Sequence, residues 1–423
     1  MDPLKNIRET VGKDLWKRVE ALDPYFRKPD PNVRGDKGGD FAWLHSTFDG
    51  FKTFLFAPPS VTTSGTHIKD GVDLKRTMFI VVLSLVPCLL HGILNVGHFH
   101  YVAQDMYHGI FEGIGPKLWY GMLKVLPIVV VAYGAGLGVE FAIAQMRGHA
   151  INEGYLVSGM LIPLVMPPDI PLWMVAVASI FAVIIGKEAF GGTGMNILNV
   201  ALTARVFIFF AYPTFISGDE VWVSNMADAY SGATPNAILS KYGLTGGLMV
   251  PGDGEVFSTI TQTWGHYTFW DAFWGFVPGS VGEMSAPAIL VGALILIVSG
   301  IGSWRIMVSV IAGALITGVL FNISYAAGLT NVFLSVPAYY HVFIGSMLFA
   351  AVFMATDPVT ATQTERGKWI YGLGIGICGM IIRVTNPAYP EGWMLAILVM
   401  NVFAPLIDHV IVQGNIKRRL ARA

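Results

Sequence analysis

Met78-Phe-Ile-Val-Val-Leu-Ser-Leu-Val-Pro-Cys-Leu-Leu-His-Gly-Ile-Leu-Asn-Val-Gly97 carries no Lys, Arg, Asp or Glu. Crossing a bilayer as a helix takes about 20 predominantly apolar residues, so this run reads as a membrane span. Lys75-Arg76 stand immediately before it and close a polar preface, residues 1–76, that holds 13 of the 27 Lys and Arg residues. Cations concentrated beside a first span mark the cytoplasmic side. The fold class and its orientation both start from this junction.

Similar runs recur along the chain. They predict ten segments, at 78–97, 122–144, 155–166, 170–186, 197–213, 286–302, 304–323, 339–356, 369–383 and 393–412. The third and the ninth are short, which suits tilted, broken or re-entrant helices lining a protein cavity. The 423 residues are 54% hydrophobic and 13% charged, against about 25% charged in soluble domains. The expected fold class is therefore an all-α integral membrane protein of about ten transmembrane helices. Its expected parts are a cytoplasmic segment 1–76, with a short amphipathic helix over 4–22, a five-helix half 77–213, a periplasmic connection 214–285, a second half 286–412 and a basic tail 413–423. A net charge of −1 offers nothing to a nucleic acid, and the charged start is not that of a cleavable signal peptide. Cys88 and Cys378 lie in apolar runs, too few for a disulfide framework or a thiolate metal site.

Charge in the connections supports the orientation. Arg147, Lys187, Arg305, Arg366 and Lys368 fall in alternate connections, and the tail adds Lys417, Arg418, Arg419 and Arg422. The connection 214–285 has Lys241 as its one cation against seven acidic residues. Both termini are expected inside. A faint repeat relates Met160–Asp169 to Met347–Asp357; with five segments per half, the halves would be inverted, an arrangement that places ion or substrate sites at their interface.

Ionisable groups inside a span cost about 2.5–3.5 kcal/mol each at its centre. Glu140, Asp357 and Asp408 fall in or at the inner edge of predicted spans. Oxygen ligands suit hard cations, so the three read as sodium or proton entry sites. The alternative makes each an interfacial group, with Asp357 capping a helix and Asp408 pairing with the C-terminal arginines. Gly191-Gly-Thr-Gly-Met-Asn196-Ile-Leu-Asn199 opens the fifth segment, as a plain helix start or as amide donors for a polar ring. Gly374-Ile-Gly-Ile-Cys-Gly379 matches a dinucleotide pattern formally, but inside an apolar span it reads as close helix packing. Tyr133-Gly-Ala-Gly-Leu-Gly138 reads the same way. His98, His100 and His108 are expected to be solvated on the first outer connection.

The longest polar interval contains Asp228-Ala-Tyr-Ser231-Gly232-Ala233-Thr234. Small residues allow close approach to the backbone and are expected to leave the threonine hydroxyl unshielded. As plain chemistry this is a Ser/Gly turn whose aspartate bonds its own backbone. It also resembles the acceptor motif at which a flavin transferase esterifies FMN to threonine, with Asp228, Ser231, Gly232, Ala233 and Thr234 each in place.

These pieces together resemble a family of flavin-bearing membrane subunits, found in the bacterial sodium-translocating NADH:quinone oxidoreductase and in the related Rnf complex. The resemblance runs through Arg147–Gly154, Gly186–Gly194, Phe209–Pro213, Asn386–Gly392 and Phe403–His409. It implies covalent FMN on Thr234, noncovalent riboflavin at Asn196 and Asn199, and sodium uptake at Glu140, Asp357 and Asp408. Gly136 and Leu137 match a region tied to quinone-site inhibitors; Leu137 stands where a second glycine is expected, and the Gly279–Ser285 stretch also departs from the pattern. Implied partners are ubiquinone, sodium, the flavin transferase, a periplasmic flavin-bearing subunit and an NADH-oxidising subunit, in a bacterial inner membrane. The long preface favours the quinone enzyme over the ferredoxin-linked Rnf pump. A urea-channel-like transporter, built on a five-plus-five repeat without redox chemistry, is the reading from a different class.

Overall fold

The computed structural model describes residues 18–27, 74–104, 106–147, 154–216, 221–224, 233–242, 268–386 and 391–422, with isolated positions between 39 and 66. Among these residues all regular structure is helical. The expected helix over 4–22 falls mostly outside them.

The first half comprises α1 (Leu74–Ala103), α2 (Ile114–Arg147), α3 (Tyr155–Leu164), α4 (Leu172–Gly186) and α5 (Val200–Ala211). The connection contributes α6 (Pro235–Tyr242) and α7 (Phe269–Trp274). The second half comprises α8 (Ala286–Val298), α9 (Trp304–Ala326), a broken run from Tyr340 to Met354, α10 (Glu365–Thr385) and α11 (Trp393–Leu420). Six of these, α1, α2, α4, α9, α10 and α11, are long and apolar enough to cross a membrane. Helices α3, α5 and α8 have 10, 12 and 13 residues, or about 15–20 Å at 1.5 Å per residue, too short to cross alone. The broken run ends in a π-helical turn, Ala350–Met354, with every residue buried. Ten crossings therefore remains an expectation, while a bundle of at least six is what the helix lengths support.

Side-chain contacts sort the helix ends into two groups. Arg147 at the end of α2 reaches Glu188 just past α4, and Arg305 at the start of α9 pairs with Glu365 at the start of α10. At the other end, Lys124 near the start of α2 bonds Asp169 in the turn after α3, and Ser346 bonds Glu391 just before α11. The first end is the one expected to face the cytoplasm.

Several helix ends differ from expectation. Helix α10 begins at Glu365 rather than near 369, because Thr364 caps it and Glu365, Arg366 and Lys368 form a polar first turn that hydropathy alone discards. Helix α1 runs on to Ala103, so His98 and His100 are buried rather than solvated. His98 meets Lys117 of α2 at 3.1 Å, and the same ammonium donates to the carbonyls of Tyr107 and Gly109.

Small residues set the packing. A side chain at Gly376 would strike the backbone of Val310 and Ala314, and one at Gly313 would strike Leu373, so α9 and α10 touch backbone to backbone. That is the close helix packing expected of Gly374–Gly379. The outward faces are apolar: Leu83 and Leu90 on α1, Leu126 and Val130 on α2, Val402 and Leu406 on α11 are all exposed, as lipid- or partner-facing surfaces should be.

Candidate functional site

At the expected inner end, the turns after α2, α4, α8 and the broken run converge on a cavity of about 60 Å³, open on one side. Lys187, Thr193, Asn196, Asn199, Asp357 and Phe353 are among its lining residues. Each polar group arrives for a local reason. Asn199 is the N-cap of α5, its side chain accepting from Leu202 N, so the helix-start reading holds for it. Its amide also donates to Asp357 Oδ2 at 3.3 Å, joining the two halves across 158 positions of sequence. Asp357 accepts in addition from Val359 N and Thr360 Oγ1, as a carboxylate closing its own turn. Burial raises its carboxyl above the ordinary value, and these hydrogen bonds act in the opposite sense. Asn196 is folded onto Leu198 O.

Glu140 lies in the last turns of α2 and is 4% exposed. Lys187, the residue that ends α4, places its ammonium 2.7 Å from Glu140 Oε1 and is as deeply buried. Asp408 stands apart from the cavity. It accepts from Gln363 N, Thr364 N and Thr364 Oγ1, and so fixes the start of α10 rather than pairing, among the described residues, with the C-terminal arginines. An anion there also suits the helix dipole. Gly136 abuts the ring of Tyr155, whose hydroxyl donates to Ala132 O at 2.9 Å; Leu137 is half-buried beside it.

At the opposite end, Thr234 is the residue before α6. Its hydroxyl accepts from Ala237 N at 3.2 Å, and the residue is 7% exposed. It is packed, where the small residues around it led to an unshielded hydroxyl. Ala233 is half-buried, and Asp228, Ser231 and Gly232 lie outside the described residues. Two positions on, Asn236 donates to Glu391 Oε1 at 2.8 Å. Glu391 Oε2 accepts from Ser346 N and Ser346 Oγ and has Arg383 at 3.9 Å. Gly345, with φ at +67°, leaves the room: a side chain there would collide with Asn236 and Glu391. The segment carrying Thr234 is thereby tied to the second half of the bundle.

Sequence reasoning did not single out Arg205, Glu283, Arg383 and Glu391, all buried near this end. Arg205 donates to Ser280, and Glu283 is close enough to Arg205, Arg383 and Glu391 to feel their charge. The signal was available: Arg205 and Arg383 are cations inside predicted spans, as costly there as the three carboxylates. No group of His, Cys, Asp and Glu among the described residues is arranged to hold a metal in the usual way, and Cys88 and Cys378 are both free.

An apolar helical bundle with six helices long enough to cross a membrane, and with ion pairs buried inside it, defines a multi-pass membrane protein. The chain belongs to the NQR2, RnfD, RnfE family, which matches residues 61–417. It is 41% identical over 421 residues to the subunit designated B in the Na(+)-translocating NADH-quinone reductase of Chromohalobacter salexigens, covering 96% of this chain and 95% of that one. The subunit of the same name from Stutzerimonas stutzeri is 43% identical over 406 residues, covering 92% and 96%. The one from Klebsiella pneumoniae is 39% identical over 429 residues, covering 96% and 98%.

Proposed function

We propose that this chain is the membrane subunit of a sodium-translocating NADH–quinone reductase, carrying FMN on Thr234 and riboflavin beside Asn196 and Asn199. The observation that carries this reading is the end-to-end likeness to relatives of that name, over 96% of the chain in the Chromohalobacter salexigens comparison. In this reading the subunit sits in a bacterial inner membrane with both termini cytoplasmic, beside a periplasmic flavin-bearing subunit and an NADH-oxidising one. Flavins supply electron-carrying chemistry that side chains lack, and the protein supplies position and electrostatics.

For FMN, the chemistry of the position fits. An ester at Thr234 Oγ1 puts phosphate at the N-terminus of α6, where amides and the helix dipole favour an anion. Because the hydroxyl is buried, the transferase must act before this segment packs or must open it. For riboflavin, the donor set fits: Asn196, Asn199, Thr193 and Ser158 offer amides and hydroxyls, and Phe353 and Leu161 offer apolar faces. The cavity's 60 Å³ is room for a few waters by the measure of about 10–15 Å³ per water, so a three-ring ligand requires its open side to widen. Asp357, Glu140 and Asp408 provide carboxylate oxygens at one end of the bundle for a hard cation.

The test is NADH-driven quinone reduction and sodium uptake by the assembled complex in vesicles. Sodium should stimulate the rate and accumulate inside inverted vesicles, and Asp408→Asn should weaken the sodium dependence while leaving the flavins bound. Quinone reduction without sodium accumulation in the unmodified complex would sink the proposal.

A further inference from the structure

Among the described residues, Lys187 is the side chain that both pairs with Glu140 and lines the cavity shared by Asp357, Asn196 and Asn199. Its backbone is pinned: its carbonyl accepts from Phe190 N and Gly192 N in the tight turn after α4. Its stem is a flexible four-carbon arm with a compact ammonium at the tip. The neighbouring carboxylate, Glu188, is already engaged by Arg147 at 3.2 Å. Lys187 therefore has Glu140 as its present ion-pair partner and, across the cavity it lines, Asp357 as the next carboxylate.

A monovalent cation and a lysine ammonium make the same demand on a carboxylate. Two unit positive charges at one buried carboxylate oxygen repel strongly where the dielectric is low. Both side chains of the pair are 4% exposed, so bulk water screens little of that repulsion. We propose that Lys187 is a tethered cation that competes with sodium for Glu140: sodium entering the cavity past Asp357 takes the carboxylate only when the ammonium withdraws from it. The lysine thus sets the sodium affinity of the inner site and keeps Glu140 neutralised when no cation is bound.

This inference rests on the reading of Glu140 and Asp357 as sodium ligands. When the competitor holds the carboxylate most of the time, apparent affinity is reduced by the fraction of time the site is free. If that fraction is about one tenth, removing the ammonium lowers the half-saturating sodium concentration about tenfold.

The experiment measures half-saturating sodium in the assembled complex by two readouts, quinone reduction and sodium-dependent protection against thermal unfolding. Lys187→Gln should lower it about tenfold in both. Lys187→Arg, which keeps the charge and grips a carboxylate through two donors, should raise it. The double variant Lys187→Gln with Glu140→Gln has no charge of this pair left unpaired and should assemble, but its half-saturating sodium should rise above that of the unaltered complex. A folded Lys187→Gln complex with unchanged half-saturation overturns the proposal. If Lys187→Gln does not assemble, Lys187→Arg decides: an unchanged value overturns it. If Glu140→Gln and Asp357→Asn also leave sodium dependence untouched, the sodium reading fails and the role of the lysine fails with it; a shift in those two without one in the Lys187 variants overturns the lysine's role alone.

Discussion

Replacing Glu391 is the sharpest perturbation of the link between Thr234 and the second half of the bundle. In Glu391→Ala, two buried donors, Asn236 Nδ2 and Ser346 N, lose their carboxylate acceptor at once, and Ser346 Oγ is left with only the backbone carbonyl of residue 391, at 3.4 Å. Arg383, 1% exposed, loses the carboxylate that stands 3.9 Å away. An orphaned buried donor costs about 1–3 kcal/mol, and removing one member of a buried ion pair costs about 3–5 kcal/mol. These figures describe the same carboxylate from two sides and do not add, so the expected loss is about 3–5 kcal/mol. Glu391→Gln keeps the shape and one acceptor oxygen. Its amide nitrogen must then face either Asn236 or Ser346, donor against donor, for an intermediate loss of about 1–3 kcal/mol. Unfolding of the solubilised protein in mixed micelles should rank the unaltered chain above Gln and Gln above Ala. Asn236→Ala should cost little in the Glu391→Ala background, since the bond it removes is already gone. A loss under about 0.5 kcal/mol in Glu391→Ala, the range of inconsequential surface changes, or full additivity of the two substitutions, would refute the reasoning.

Two further outcomes follow from the packing and the inner cavity. Gly376→Val should force α9 and α10 apart, because the added atoms meet backbone rather than side chain; overpacking of this kind costs about 1–3 kcal/mol, read as a lower melting midpoint in detergent, and an unchanged midpoint would mean the helices are not in backbone contact. Because burial raises the Asp357 carboxyl, its proton is held more tightly than an ordinary carboxylate's and competes with a cation over a higher pH range. Half-saturating sodium should therefore climb as pH falls towards that raised value and level off above it, and Asp357→Asn should flatten the profile; a pH-independent affinity in the unaltered complex would remove Asp357 from cation binding.

Apolar runs and the cost of charge in a span were legible in the sequence. They located the helical elements of both halves and singled out Asp357, which lines the inner cavity with Asn199, and Glu140, whose partner Lys187 lines the same cavity. What was not legible were the partners. Nothing local in Asn236 announces Glu391, 155 positions away, and nothing in Glu140 announces Lys187, which reads as an ordinary cation in a cytoplasmic connection. Helix ends were misjudged where polar residues continue a helix. Lys117 is satisfied inside α2 by two carbonyls and a histidine, and Glu365 opens α10 because Asp408 and Thr364 secure the turn before it. Burial of Thr234 could not be read from its small neighbours, since it is set by the contact of α6 with the distant second half.

The most direct test is mass spectrometry of a proteolytic fragment containing Thr234, from protein made together with an active flavin transferase and compared with Thr234→Ala. An FMN-sized increment on Thr234, absent from the variant, is the expected result. An unmodified Thr234, with the transferase active on a control acceptor, would contradict the assignment of this chain as a flavin-bearing redox subunit.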